Sequence, residues 1–486
     1  MKNLPGIPLI LLLCACTVGP TYRQPDLPVN EHYQTPARDA GADPQGVDLD
    51  QWWRGFGDPV LTRIVGHVLD QNLDLAAAEA RVAQARAAAR GAGAALLPEG
   101  SLEGSVARQH QSTVGEFGTV ASHLPGYERD QTVRQLGAGA SWELDLAGGL
   151  RRRAEGRRDE AQAAEAAGVG TRIRVVAEAA DAYLQVRGAR ADLAQLSALI
   201  ATDENLVRVT AERVGEGVAV DRDRDDAEAR LAQDRALEPA VQARLQAESN
   251  RLDVLMGATP DSGTVGSDEG VAQAWTTPGM PGDIRPAQLL RRRPDIMLAE
   301  RRLAAATADI GAALSQYYPD VSLAGLLGFE RLGPGDLFSG AAFQPALLAG
   351  VHWRLFDFGR VDAEVAQARG ARAEALARCR QSVLGAAEDA EDALLTLAQW
   401  QSRLGALQAV VAANERALDS VQRSVEAGTA SDVDLLRRRQ LLLESRRAWV
   451  LTHEAHARAT VDAYRALGGG WAPPTSAVYG NLNDVR

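Results

Sequence analysis

The stretch from Arg360 to Leu467 constrains this chain more than any other. Its pattern predicts one long helix, a short turn at Gly428-Thr429-Ala430-Ser431-Asp432, and a second long helix. Apolar residues step Leu404, Leu407, Val411, then Leu418, Val421 and Val425, with Asn414 at a polar interruption. Steps of three and four make a heptad seam. A second seam, Leu394, Leu397, Leu404, Val411, Leu418 and Val425, is diluted by Gln401, Gln408, Glu415 and Gln422. Two offset seams require a neighbour on each side, whereas a surface helix carries one apolar stripe. A helix from Arg360 to Ala427 would run roughly 100 Å at ~1.5 Å per residue, too long for a compact domain. The hairpin reads as one stave in a wall of helices.

The composition agrees with long helices. It is rich in Ala, Arg and Glu, and only 5% aromatic. The net charge is −12 with bases interspersed among acids, so a nucleic-acid-binding face is not expected. No apolar run of about 20 residues predicts a helical membrane span. The N-terminus reads as a targeting segment. Lys2 supplies its charge, Leu9 to Leu13 its apolar region, and Leu13-Cys14-Ala15-Cys16 resembles a bacterial lipobox. Residues 1–15 would be removed and Cys16 acylated. A plain secretory peptide without lipid is the alternative. Thr17, rather than Asp, after the Cys favours the outer membrane. Of three cysteines, only Cys379 would then remain free, so no internal disulfide is expected. Covalent lipid on Cys16 aside, no cofactor is expected.

Residues 16–51 are rich in Pro, Gly and Asp and should be extended. Trp52-Trp53 opens the ordered part, with Asp58 as N-cap and Pro59 in the first turn of a helix. That helix should break near Asn72 and end before Pro98. A strand at about 98–110 and a polar loop at about 111–129 follow. In the next strand, about 131–146, Leu136, Ala138, Ala140, Trp142, Leu144 and Leu146 alternate with polar residues and glycines. A long helix then leads to a turn at Gly215–Gly217 and another helix, ending near Gly257. Residues 258–283 read as a linker.

The pattern then restarts. Ala78-Glu79-Ala80-Arg81 matches Ala299-Glu300-Arg301-Arg302, and Trp142 and Gly217 match Trp353 and Gly428. The chain reads as an internal duplication, 52–257 and 284–471, with 472–486 as a tail. The second half predicts strands at about 319–331 and 345–356. Val321, Leu323, Gly325, Leu327 and Phe329 make one apolar face, and Leu347, Ala349, Val351, Trp353 and Leu355 another, while His352 reads as lumen-facing. Strands of about ten residues can cross a bilayer obliquely. A sheet in hydrocarbon tolerates no open edge, and four strands cannot close alone, so a membrane-spanning chain must oligomerise. A soluble four-stranded sheet packed on helices is the alternative.

Several ordered segments resemble the TolC/OprM-like outer-membrane efflux proteins, especially the lipoprotein branch. They are Cys16-Thr17-Val18-Gly19-Pro20, Trp142-Glu143-Leu144-Asp145-Leu146, Arg292-Arg293-Pro294-Asp295, Phe356-Asp357-Phe358-Gly359-Arg360 and Tyr464-Arg465-Ala466-Leu467-Gly468-Gly469-Gly470-Trp471. The resemblance implies a mainly α fold with membrane β. Long coiled helical hairpins would form an α-barrel tunnel, and four strands per chain would enter a shared trimeric twelve-stranded β-barrel. It implies a homotrimer that exports small molecules passively, beneath an inner-membrane pump and a periplasmic adaptor, with no catalytic step. Ala147-Gly148-Gly149 stands where the family usually has Phe-Gly-Arg, and Arg437-Arg438-Arg439 follows Leu436 where it often has Leu-Asp-Ala. A periplasmic scaffold lipoprotein with helical hairpins and no pore is the competing reading.

The candidate functional residues lie at the hairpin tips, about 215–223 and 428–434. Gly215, Gly217 and Gly428 form the turns that an adaptor would contact. Asp223 and Asp434 each stand six residues past a tip glycine, and Asp434 falls where the family carries a gate aspartate. The first tip is acidic, including Asp221, and the second carries Arg437, Arg438 and Arg439. These charges are expected either to latch neighbouring hairpins together or to pair within their own helices.

Overall fold

The computed structural model describes residues 17–26, 30, 32–34, 48–260, 276–280, 285–287 and 292–472. The lipobox with Cys16, most of the expected linker and the tail beyond Ala472 lie outside the described residues. The chain divides into two compact units.

The first unit comprises residues up to Pro25, Ala83–Ala163 and Glu300–Arg378. It holds a fully antiparallel sheet in the order β1-β2-β3-β4. The strands are β1 (Glu99–His110), β2 (Asp130–Glu143), β3 (Asp320–Leu332) and β4 (Phe343–His352). Register aligns the apolar positions of all four. One row runs Leu102, Ala138, Leu327, Pro345, and the next runs Gly104, Leu136, Phe329, Phe343. The opposite face carries rows such as Glu103, Gly137, Gly328, Gln344. On that face Gln135 donates to Glu330 at 2.9 Å. The apolar face is uncovered: Leu102 is 75% exposed and Leu347 85%.

Both apolar runs continue in sequence beyond the ladder, which stops at Glu143 and His352 rather than at 146 and 356. Leu144 makes one further bond, to the Val321 carbonyl. Asp145 then takes a left-handed φ of 41° and accepts from the amides of Leu150 and Arg151, opening α4 (Gly149–Gly215). Phe358 is left-handed too, and Asp357 accepts from Gly359 and Val361 ahead of α7 (Arg360–Glu426). The departure at Ala147-Gly148-Gly149 has a steric reason: a Cβ on Gly149 would strike the side chain of Ser315. The loop between β1 and β2 contains a short helix, α3 (Glu116–Ala121), that the polar composition did not suggest.

The second unit comprises Asp26–Val82, Ala164–Ala299 and Cys379–Arg486. A 3-10 helix (Leu49–Phe56) leads to α1 (Pro59–Gln71). Asp58 caps α1 by accepting from Val60 and Leu61, and Asn72 separates α1 from α2 (Leu73–Ala94). Asp58 is buried and also accepts from Tyr183 at 2.8 Å and from Arg187 of α4. Trp52, Trp53 and Phe56 enter a core built with Val176 and Tyr183 of α4, Leu394 and Leu397 of α7, and Val461 and Tyr464 of α8 (Asp432–Ala466). The expected linker is not wholly free of this core. Met280 is fully buried, and Tyr464 donates to the Gly279 carbonyl. Arg292, just before α6 (Pro294–Ser315), pairs with Asp50 and donates to the Trp471 carbonyl, so two of the sequence segments singled out above meet here.

The long helices recur at a fixed interval. α4 and α7 have 67 residues each, and both α5 (Asp221–Leu255) and α8 have 35. Each pair starts and ends 211 positions apart. The side-chain nitrogen of Trp142 donates to the Leu96 carbonyl, and that of Trp353 to the Tyr317 carbonyl, both at 3.0 Å.

Candidate functional site

The helical tips are built by backbone chemistry before any charge is considered. A helix leaves its last carbonyls unpaired, and a left-handed residue just beyond lets following amides return to them. Gly217 (φ 72°) allows Val218 and Ala219 to donate to the Arg213 carbonyl. Gly428 (φ 74°) allows Thr429 and Ala430 to donate to the Ser424 carbonyl. Only a residue without a Cβ adopts these angles readily. Space around both glycines and Gly215 is open.

The two restarts differ. Ser431 Oγ accepts from the Asp434 amide, while Asp434 accepts from the Ser431 amide at 3.0 Å and from its hydroxyl at 2.7 Å. This reciprocal box satisfies the first amides of α8. These bonds, with Arg437 and Arg213 nearby, hold the Asp434 carboxyl below the usual carboxylate range. At the first tip the cap position is Val220, which offers no side-chain acceptor.

The structure brings the tip acids together with bases of their own helix. Arg224 reaches Asp221 at 3.3 Å and Asp225 at 3.0 Å, and Arg222 reaches Asp226 at 3.6 Å. Asp223 is half-buried. Arg437 and Arg439 are exposed, and among the described residues Arg437, Arg438 and Arg439 make no ion pair within the chain. Acidic first tip and basic second tip are therefore not joined inside one chain. What joins the hairpins here is apolar: Leu206, Ala227 and Val433 pack together, with Val207, Val209 and Leu436 against them.

Further from the tips, polar groups join α4 and α5 to α8, and the sequence reading missed them. Asp181 accepts from Arg458 and Asp192 from Arg447, each at 2.6 Å, and Asp203 accepts from Gln440 at 2.7 Å. Arg244 of α5 reaches the buried Glu454 at 3.3 Å. Burial pushes the Glu454 carboxyl up to about 6 against the pull of Arg244 and Arg458. Burial pushes His453 and His456 down to about 4. The three aspartates stand eleven residues apart, three helical turns, so one face of α4 carries them all. That spacing was visible in the sequence; the donors opposite them, Arg458, Arg447 and Gln440, more than 200 residues away, were not.

An exposed apolar sheet face, an opposite polar face and two long helical hairpins fit one class, the outer-membrane ducts. Comparison with known proteins gives the family. Residues 64–258 and 286–469 match the family described as outer membrane efflux protein, and the chain belongs to it. Outer membrane protein OprJ of Pseudomonas aeruginosa is 29% identical over 472 residues, covering 97% of this chain and 96% of OprJ. The pyoverdine export outer membrane protein OpmQ of the same species is 28% identical, covering 97% of each. The solved outer-membrane channel OprN superposes with a TM-score of 0.81 at 32% identity, over 94% of this chain and all of OprN. The protein is accordingly a non-catalytic export duct of the outer membrane.

Proposed function

We propose that three copies of this chain close one twelve-stranded barrel, forming the exit of a tripartite efflux system. The observation that carries this is the open sheet. β1 and β4 each have one unpaired edge, and among the described residues the aligned apolar rows face nothing. In hydrocarbon each unpaired backbone group costs several kcal/mol, so the edges must meet those of other copies. Trp142 and Trp353, both partly exposed, lie at one end of the apolar face and suit an interfacial girdle. The equal helix lengths and the constant 211-residue interval support an internal duplication, in which each half supplies two strands and one hairpin.

Acylation of Cys16 would anchor the chain. In support, Val18, two residues on, donates to the Ala147 carbonyl beside the start of α4, and Arg152 donates to the carbonyls of Val18 and Gly19. A periplasmic adaptor and an inner-membrane pump are the partners. The tips around Gly215, Gly217 and Gly428 serve as gate and docking end. Asp221, Asp223 and Asp434 of one copy face the Arg437–Arg439 cluster of another, since among the described residues those arginines make no ion pair within their own chain.

Purified protein tested by native mass spectrometry and then in planar bilayers checks the whole reading. Trimers that conduct, with a diacylglyceryl mass on the peptide beginning at Cys16, are expected. Folded monomers that do not conduct would establish the scaffold instead.

A further inference from the structure

A pair of acids lies between the hairpins, on the side of the Leu206 cluster away from the tips. Asp203 is 1% exposed. Its Oδ1 accepts from Gln440, but its Oδ2 meets no N–H or hydroxyl donor, and neither does Oδ2 of Asp234 on α5. The two carboxyls lie within hydrogen-bonding reach of each other. Two carboxylates in such contact cannot both stay ionised unless a proton or a cation stands between them.

Three of the surrounding bases already have acids, and the fourth, Arg437, makes no ion pair among the described residues. On α5, Arg230 pairs with Glu444 of α8, and Arg235 pairs with Glu204 of α4 at 2.6 Å. On α8, Arg437 and Glu444 stand a turn to either side of Gln440, and Arg447 is held by Asp192. Among the described residues no group of three or more potential metal ligands occurs. A proton is the species that fits.

We propose that Asp203 and Asp234 share one proton, and that losing it loosens the hairpins beneath the tips so that opening of the duct responds to periplasmic pH. The gating half rests on the tip reading above; the shared proton does not. Leu206 and Val207 lie one turn beyond Asp203, and Leu206 packs on Ala227 and Val433. Repulsion at the acid pair therefore acts on the apolar layer that joins the hairpins. Burial, and then Asp234, push the Asp203 carboxyl up to about 7. A raised carboxyl stabilises its fold fully below its unfolded value near 4 and loses that contribution as pH rises through about 7. Packing should be tight in mild acid and loosest above neutrality, with the ratio of deprotonated to protonated pairs changing about tenfold per pH unit.

Two measurements test it. Infrared difference spectra of wild type against Asp203→Asn near pH 6 should show the carbonyl stretch of a protonated carboxylic acid in wild type alone. Absence of that band overturns the shared proton. Single-channel recordings from about pH 5.5 to about pH 8.5 should show open probability rising across neutrality. Asp203→Asn and Asp234→Asn, neutral and similar in size, should stay at the acid-side level throughout. An unchanged transition in both variants overturns the coupling. A response to calcium or EDTA at fixed pH would put a cation in place of the proton and overturn the proposal. A normal infrared band with no conductance from any variant would sink the duct reading and the coupling with it, while the shared proton stands.

Discussion

Replacing Asp434 by Ala is the obvious probe of a gate aspartate, and the structure shows why it would mislead alone. Asp434 carries a charge at the tip and also holds the capping box with Ser431. Ser431→Ala separates these roles, because it removes the cap and leaves the carboxylate. Loss of a Ser N-cap costs about 1 kcal/mol, within a range of roughly 0.5–2. The lower half of that range applies, since the box is exposed and solvent can replace part of it. About 1 kcal/mol is a factor of about five in the local opening equilibrium. Amide hydrogen exchange at Asp434 and Leu435, measured by mass spectrometry on the intact protein, should speed up by about that factor. Exchange at the first tip should not change. Val220→Ser makes the converse case: it should slow exchange at Asp223 by a few-fold by supplying the acceptor that α5 lacks. If Asp434→Ala opens the channel and Ser431→Ala does not, charge holds the gate. If both open it equally, helix fraying does. Unchanged exchange at Asp434 and Leu435 in Ser431→Ala would refute the capping argument.

Three further outcomes follow from buried groups. Asp58→Ala should destabilise the second unit by about 3–5 kcal/mol, because it removes the carboxylate facing buried Arg187 as well as a helix cap; Asp58→Asn, which keeps the cap, should lose clearly less in denaturant unfolding. Burial lowers the folded His456 value to about 4 from 6.5, so its contribution is complete above pH 6.5 and disappears as pH falls toward 4. That is at most ~3 kcal/mol, and His456→Leu should flatten the acid limb of a stability–pH curve. Gly188→Ala should drive a Cβ into the Glu454 side chain and disturb its pairing with Arg244, lowering the melting temperature, whereas Gly405→Ala, on an open helix surface, should raise it slightly.

The sequence disclosed whatever depends on local periodicity. Heptad seams marked the long helices, alternation marked four strands, and Asp58-Pro59 marked the start of α1. It overran β2 and β4 because alternation of apolar residues persists after hydrogen bonding stops. At β2 the stop is set by Asp145 turning left-handed two residues past Glu143, and nothing in an alternating pattern encodes that. Tip glycines were legible because left-handed closure demands them. Asp203, Asp192 and Asp181 were not read as a group, since a face of one helix has meaning only once the helix opposite is known.

The tip charges illustrate the limit from the other direction. Segregated acids and bases in sequence suggest a latch, yet Arg222 and Arg224 are taken up by acids one turn away on α5. Such pairs form because side chains three and four apart are always within reach, whatever the neighbouring chain does. Arg437, Arg438 and Arg439 lack such acids at those spacings on α8, apart from Asp434 with its carboxylate held by Ser431. An attractive contact between copies would therefore draw on the second tip's bases, and the first tip's acids must give up their own arginines to meet them. Exposed pairs are worth about 0–1 kcal/mol each, so this exchange is close to neutral and cannot clamp a closed aperture by itself. If the tips close the duct as proposed, the apolar cluster of Leu206, Ala227 and Val433, and the polar contacts behind it, carry most of the closing energy, and the charges at the end adjust it.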